Sequence, residues 1–236
     1  RWGLEQSRNL MTVRIAYSTG MDKVVATAKA LGVGSYQPVL AIALGAGETT
    51  VLNLTNAYAQ MFNAGRAGTP SLIDMVQDRN GKVIWRRDTR KCTDCNRTDW
   101  AGESMPRPGG KPKQVIDARS AFQIVHLMEG VVQRGTAMNL ASMDRPLAGK
   151  TGTTTGPTNV WFIGGNQEIV GGVYLGYDQP RSLGGYAQGG TMAAPGPVFN
   201  RANARAKGAF KSLLFNAMRG LMCSASAAIN ARVSCI

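Results

Sequence analysis

The sequence predicts an α+β fold in which an antiparallel sheet packs with helices. The chain up to about residue 134 carries apolar residues mainly at helical spacing, whereas from Pro146 onward the pattern turns to consecutive strands. The spacer Gly164-Gly165-Asn166-Gln167 joins the last two strands as a hairpin loop would. The 236 residues, 44% hydrophobic and 17% charged, suit one globular domain or a large piece of one, and exclude a disordered chain or a membrane bundle.

The elements follow in order. After Ser7-Arg8-Asn9, residues 10–17 read as a helix, and 21–31 as a second one ended by Gly32-Val33-Gly34. Thr49 or Thr50 can cap a third helix to about Asn63, with Gly65 beyond it and Leu52, Ala59 and Phe62 on its buried side. Residues 72–77 and 82–86 flank Asp78-Arg79-Asn80-Gly81, and Asn-Gly between apolar runs signals a hairpin. Residues 87–114, polar and rich in proline, read as a surface insertion. Asp117 can cap a long helix to about Arg134, with Ala121, Ile124, Val125, Met128 and Val132 inward and His126 outward. Strands then cover residues 147–154, 159–163 and 168–177.

The net charge of +13 favours contact with anionic polymers, yet no nucleic-acid recognition motif accompanies it. Asp178 is the last acidic residue, and the stretch 198–236 reads as a basic tail, poorly ordered or translated out of frame. Cys92 and Cys95 form a lone Cys-x-x-Cys with no His nearby, which cannot complete a tetrahedral zinc site, so a surface clip is expected and no metal. No apolar run reaches the roughly 18 to 20 residues of a membrane-spanning helix. The opening Arg1-Trp2-Gly3-Leu4-Glu5 lacks a signal-peptide pattern, so the chain reads as an internal piece with any anchor upstream.

Lys150-Thr151-Gly152-Thr153-Thr154 is the strongest local signal for chemistry, although the same residues also suit a plain edge strand. Read functionally, Lys150 brings fixed positive charge that favours an anionic substrate terminus and eases deprotonation of a nearby hydroxyl. Thr151 and Thr153 offer hydroxyls to a carboxylate, and Gly152 lets a second backbone approach the strand edge, as in β-strand addition. Ser7-Arg8-Asn9 is a Ser-x-Asn at a helix start, which alone is more often a cap than a site. A triad around His126 cannot be built, so base chemistry must come from elsewhere. Ser-x-x-Lys, Ser-Asp-Asn and Lys-Thr-Gly together mark penicillin-binding proteins and class A β-lactamases.

With its surroundings, the chain resembles the C-terminal part of the transpeptidase domain of class A, bifunctional penicillin-binding proteins, over about residues 1–197. Ser7 to Arg14 resembles their second motif and its helix, and Ala43 to Thr50 their loop before a helix that here carries Asn56-Ala57-Tyr58. Gln133-Arg134-Gly135-Thr136-Ala137 and Leu147 to Thr154 resemble the approach to the third motif and its body, and Val160 to Gly164 with Gly176-Tyr177-Asp178 the closing strands. The resemblance implies the β-lactamase-like transpeptidase fold and a serine acyl-transfer enzyme that cross-links peptidoglycan stem peptides ending in D-Ala-D-Ala and is trapped by β-lactams. It needs no cofactor, and the parent would be anchored at the periplasmic face of the bacterial inner membrane, with a glycosyltransferase domain.

Carried over residue by residue, Ser7 relays protons and Lys150 holds the field. Asn9 binds the substrate amide, Thr151, Gly152, Thr153 and Thr154 line the substrate strand, and the Thr153 N–H forms half of the oxyanion hole. No Ser in the chain has Lys three residues later, so the nucleophile is expected upstream and this piece alone is expected to be inactive. The segment 183–190 and the sequence after Pro195 depart from the family's usual ending. Alternatives are a D,D-carboxypeptidase or β-lactamase, using water as acceptor, and a non-catalytic basic module for an anionic polymer, which salt-sensitive binding would reveal.

Overall fold

A computed structural model describes residues 1–91, 99, 102 and 112–195. Five α-helices are described: α1 (Trp2–Glu5), α2 (Asn9–Thr19), α3 (Met21–Ala30), α4 (Val51–Phe62) and α5 (Ala118–Gln133). Strands β1 (Met75–Gln77) and β2 (Val83–Arg86) form a hairpin, and β3 (Ala148–Thr153), β4 (Asn159–Gly165) and β5 (Val170–Gly176) form an antiparallel sheet in that order. Thr50 caps α4 by accepting from the Asn53 N–H (3.1 Å), and Asp117 caps α5 by accepting from the Arg119 and Ser120 N–H groups. The β1–β2 turn is closed by the Asp78 carboxylate, which accepts from Asn80 and Lys82, while Gly81 takes the left-handed backbone (φ 82°) the turn requires.

The sheet has a packed layer on each face. Val160 and Phe162 sit with Val131, Val132, Ala137, Leu140, Ala187, Ala193 and Ala194 on one face. Cross-strand partners share a face, which puts Thr151, paired with Phe162, on that side. On the other, Ala148 packs with Phe62 and Met128, and Gly172 of β5 lies against Thr55 of α4. Both layers share α5, so the helix that precedes the sheet also sets its position.

The third helix expected from the sequence departs from that reading in its buried face. Leu52 is 46% exposed, and the buried positions are Ala57, Gln60 and Phe62. Gln60 is inward because its Nε2 donates to the Leu31 carbonyl (2.9 Å), which an apolar periodicity cannot register. Helix α2 likewise buries only Ala16 and leaves Leu10, Ile15 and Tyr17 more than 60% exposed. Of the stretch 87–114, residues 87–91, 99, 102 and 112–114 are described and exposed. Cys92, Cys95, Cys223, Cys235 and the tail 198–236 lie outside the described residues.

Candidate active site

Two distant pieces of chain meet beside the middle of β3. Lys150 Nζ donates to Ser7 Oγ at 2.6 Å, joining residues 143 positions apart, and also to the Thr151 carbonyl at 2.8 Å. Burial pushes the Lys150 ammonium down to about 8, because an ion leaving water loses hydration that two acceptors replace only in part. Ser7 lies in the turn between α1 and α2 with a left-handed backbone (φ 52°), uncommon for a residue with a side chain. Asn9 opens α2 and is exposed.

The strand register decides what β3 offers at its outer edge. The Thr154 N–H donates to the Asn159 carbonyl (3.2 Å), making 154/159 a hydrogen-bonded pair. Such pairs alternate along an antiparallel ladder, so Gly152/Trp161 and Lys150/Ile163 are also bonded, and the N–H and C=O groups of Thr151 and Thr153 point away from β4. At the other hairpin the Asn166 N–H donates to the Ile169 carbonyl, which fixes 160, 162 and 164 as the β4 residues that bond β5 and gives the same alternation. Among the described residues β3 is the edge strand, so the outward N–H and C=O groups of 151 and 153 have no strand partner on that side. Lys150 reaches the same edge by bonding the outward carbonyl of Thr151.

The threonines divide in environment. Thr153 is exposed, and its hydroxyl accepts from the Gly189 N–H (3.0 Å), which leaves its own proton free to donate. Thr151 is 8% exposed and its hydroxyl contacts that of Thr136 at 2.6 Å. Thr154 Oγ1 accepts from the Thr158 and Asn159 N–H groups and closes the β3–β4 turn. A Cβ at Gly152 would stand 3.3 Å from the Trp161 Cβ, so glycine there keeps the strand close to its neighbour. His126 is exposed and pairs with Glu129 (2.9 Å), away from this cluster.

Sequence reasoning missed Glu5, Arg134, Thr136 and Gly189. Arg134 and Thr136 lie in a stretch that carried the resemblance without a role, and no local pattern marks Glu5 as buried. No group of His, Cys, Asp and Glu suited to a metal occurs among the described residues.

Comparison with known proteins gives the family and the fold. A family model described as penicillin-binding protein transpeptidase domain matches residues 1–201. Penicillin-binding protein 1A of Rickettsia bellii is 43% identical over 198 residues, covering 83% of this chain and 25% of that protein. Penicillin-binding protein 1A from Haemophilus influenzae superposes with a TM-score of 0.72 at 27% identity, covering 90% of this chain and 35% of that one. The imipenem acyl-enzyme complex of penicillin-binding protein A from Mycobacterium tuberculosis shares the fold alone, with a TM-score of 0.57 at 17% identity over 86% of this chain and 46% of that one. The chain thus spans 25% of the Rickettsia relative it matches. A Ser-x-Asn serine bonded to the lysine of a Lys-Thr-Gly strand, within a match covering most of the sequence, places the chain in the penicillin-binding protein transpeptidase family.

Proposed function

We propose that this chain supplies the second and third motifs of a serine D,D-transpeptidase that cross-links peptidoglycan stem peptides ending in D-Ala-D-Ala. The 2.6 Å bond between Lys150 and Ser7 carries the reading, since it couples an ammonium to a hydroxyl beside an open strand edge. In the proposed reaction a serine of a Ser-x-x-Lys motif outside this chain attacks the D-Ala carbonyl. The C–N bond breaks, and D-Ala leaves with the serine's proton, delivered through the Ser7 hydroxyl. An amine of a second stem peptide then attacks the acyl ester, gives up a proton by the same route and frees the serine.

Each residue here has a physical reason for its part. Lys150 lies near neutrality in its titration and still carries most of its charge at pH 7, so it holds a field that favours a substrate carboxylate while relaying through Ser7. The outward N–H of Thr153 suits one half of an oxyanion hole, and its free hydroxyl proton suits the carboxylate. Thr136 orients the Thr151 hydroxyl toward the same carboxylate, and Asn9 serves the substrate amide. Residues 1–197 form the transpeptidase portion, and the full protein carries the nucleophile, a membrane anchor at the periplasmic face and a glycosyltransferase domain. No helix among the described residues is long and apolar enough to cross a membrane.

Two measurements test the proposal. Titrating the isotope-labelled chain with an acetylated peptide ending in D-Ala-D-Ala should perturb the resonances of Ser7, Lys150 and Thr153, and saturating peptide with no change there would refute the site. Incubation with a fluorescent penicillin should give no gel-stable band, because no Ser in the chain has Lys three residues on.

A further inference from the structure

Ser7 holds its left-handed backbone without the freedom of glycine, so something must fix the turn that aims its hydroxyl. The residues immediately before it are tied to one short segment. The Glu5 carboxylate is 3% exposed and receives Arg134 through both oxygens, with Nε donating to Oε2 at 3.0 Å, while Arg1 donates to Oε1 at 2.9 Å. The Thr136 N–H donates to the Glu5 carbonyl (3.2 Å), and Gln6 Nε2 donates to the Arg134 carbonyl (3.0 Å). Two glycines make the approach possible: a Cβ at Gly130 would collide with Glu5 Oε1, and one at Gly135 with the Glu5 carbonyl. On the far side, the Thr136 hydroxyl lies 2.6 Å from that of Thr151, the neighbour of Lys150.

We infer that the buried Glu5–Arg134 ion pair is a positioning device that holds Ser7 Oγ on Lys150 Nζ. Residues 134–136 grip both halves of the site, the Ser7 turn through Glu5 and Gln6 and the Lys150 strand through Thr151. A paired fork suits this task because two parallel N–H···O bonds fix an orientation as well as a distance, which a single ammonium cannot. Burial of an ion pair is a poor way to gain stability, since desolvation offsets most of the attraction, so a gain in geometry accounts better for its presence. Glu5 and Arg134 act through Ser7 and are positioning residues.

The inference takes its meaning from the transpeptidase reading, but its geometry is testable without it. The probe is the Lys150 titration, followed by the 13Cε resonance in the full 236-residue chain. Arg134→Lys keeps the charge and loses the fork, so it should release Ser7 and lower the Lys150 pKa by about half a unit or more, since a lost acceptor disfavours the ammonium. In a Ser7→Ala background the same substitution should leave Lys150 unmoved. A shift of equal size in both backgrounds, or none in either, overturns the inference, because a merely structural or long-range electrostatic pair does not act through the Ser7 hydroxyl. Glu5→Gln, read by the same cycle, serves if Arg134→Lys fails to fold. Should the cycle succeed while the D-Ala-D-Ala peptide perturbs nothing, the transpeptidase reading falls and the clamp stands. A perturbing peptide with an inert cycle keeps the transpeptidase reading and removes the clamp.

Discussion

Lys150 gives the sharpest test, because its burial ties the site to the stability of the whole chain. Its ammonium falls from an ordinary 10.5 to about 8 when the chain folds, through desolvation. Below about pH 8 both folded and unfolded chains hold the proton, and the folded state bears the full cost of burying the charge. Between about 8 and 10.5 the unfolded chain binds more protons, so stability rises with pH, and above 10.5 the cost is gone. A difference of this size is worth about 3 kcal/mol in all, of which about 2 to 3 kcal/mol should appear between pH 7 and pH 10. Other groups titrate in that range, so the measured quantity is the difference between the native chain and Lys150→Met, each unfolded in urea across the series. Lys150→Met should be the more stable at pH 7 and lose that advantage by pH 10. A difference that stays flat, or a 13Cε titration above 10, would refute the claim that this lysine is desolvated.

Three further outcomes follow from the geometry. The register places the Thr153 N–H outward and the Gly152 N–H on the ladder, so in thermal and urea melts Gly152→Pro should cost about 2 kcal/mol or more and Thr153→Pro distinctly less. Equal losses would refute this register, and a larger loss at Thr153 would mean the edge is reversed. Thr55 Oγ1 is buried without a hydrogen-bond partner among the described residues, so the isosteric Thr55→Val should be neutral or stabilising by about 1 kcal/mol, read by urea unfolding. Thr50→Ala removes the acceptor for the Asn53 N–H and should cost about 1 kcal/mol in the same assay.

Elements whose signals are local were legible in the sequence. Helices α4 and α5 begin where Thr50 and Asp117 can accept from the first turn, and the β1–β2 hairpin turns where Asn80-Gly81 lowers the cost of left-handed backbone. What each helix buries was less legible, because burial is settled by partners distant in the chain. Gln60 turns inward to meet Leu31, and Leu52 is left outside although its own side chain is apolar. Helix α2 makes the point more strongly, since its helical pattern is plain and its apolar residues Leu10, Ile15 and Tyr17 are nonetheless exposed.

The site divides along the same line. Ser7 and Lys150 each lie in a motif readable by eye, yet neither motif states that a hydroxyl and an ammonium 143 residues apart come within 2.6 Å. That distance depends on the fold between them, and in particular on the 134–136 segment that binds Glu5 on one side and Thr151 on the other. Glu5 is opaque to sequence reasoning because a carboxylate near a helix start is ordinarily a solvated charge; only its pairing with Arg134 makes its burial tolerable. The glycines at 130 and 135 are opaque for the converse reason, since a residue chosen for the absence of a side chain carries no chemical signature of what it admits. A motif therefore names candidate groups, while the distances among them are held by residues whose types, taken alone, look ordinary.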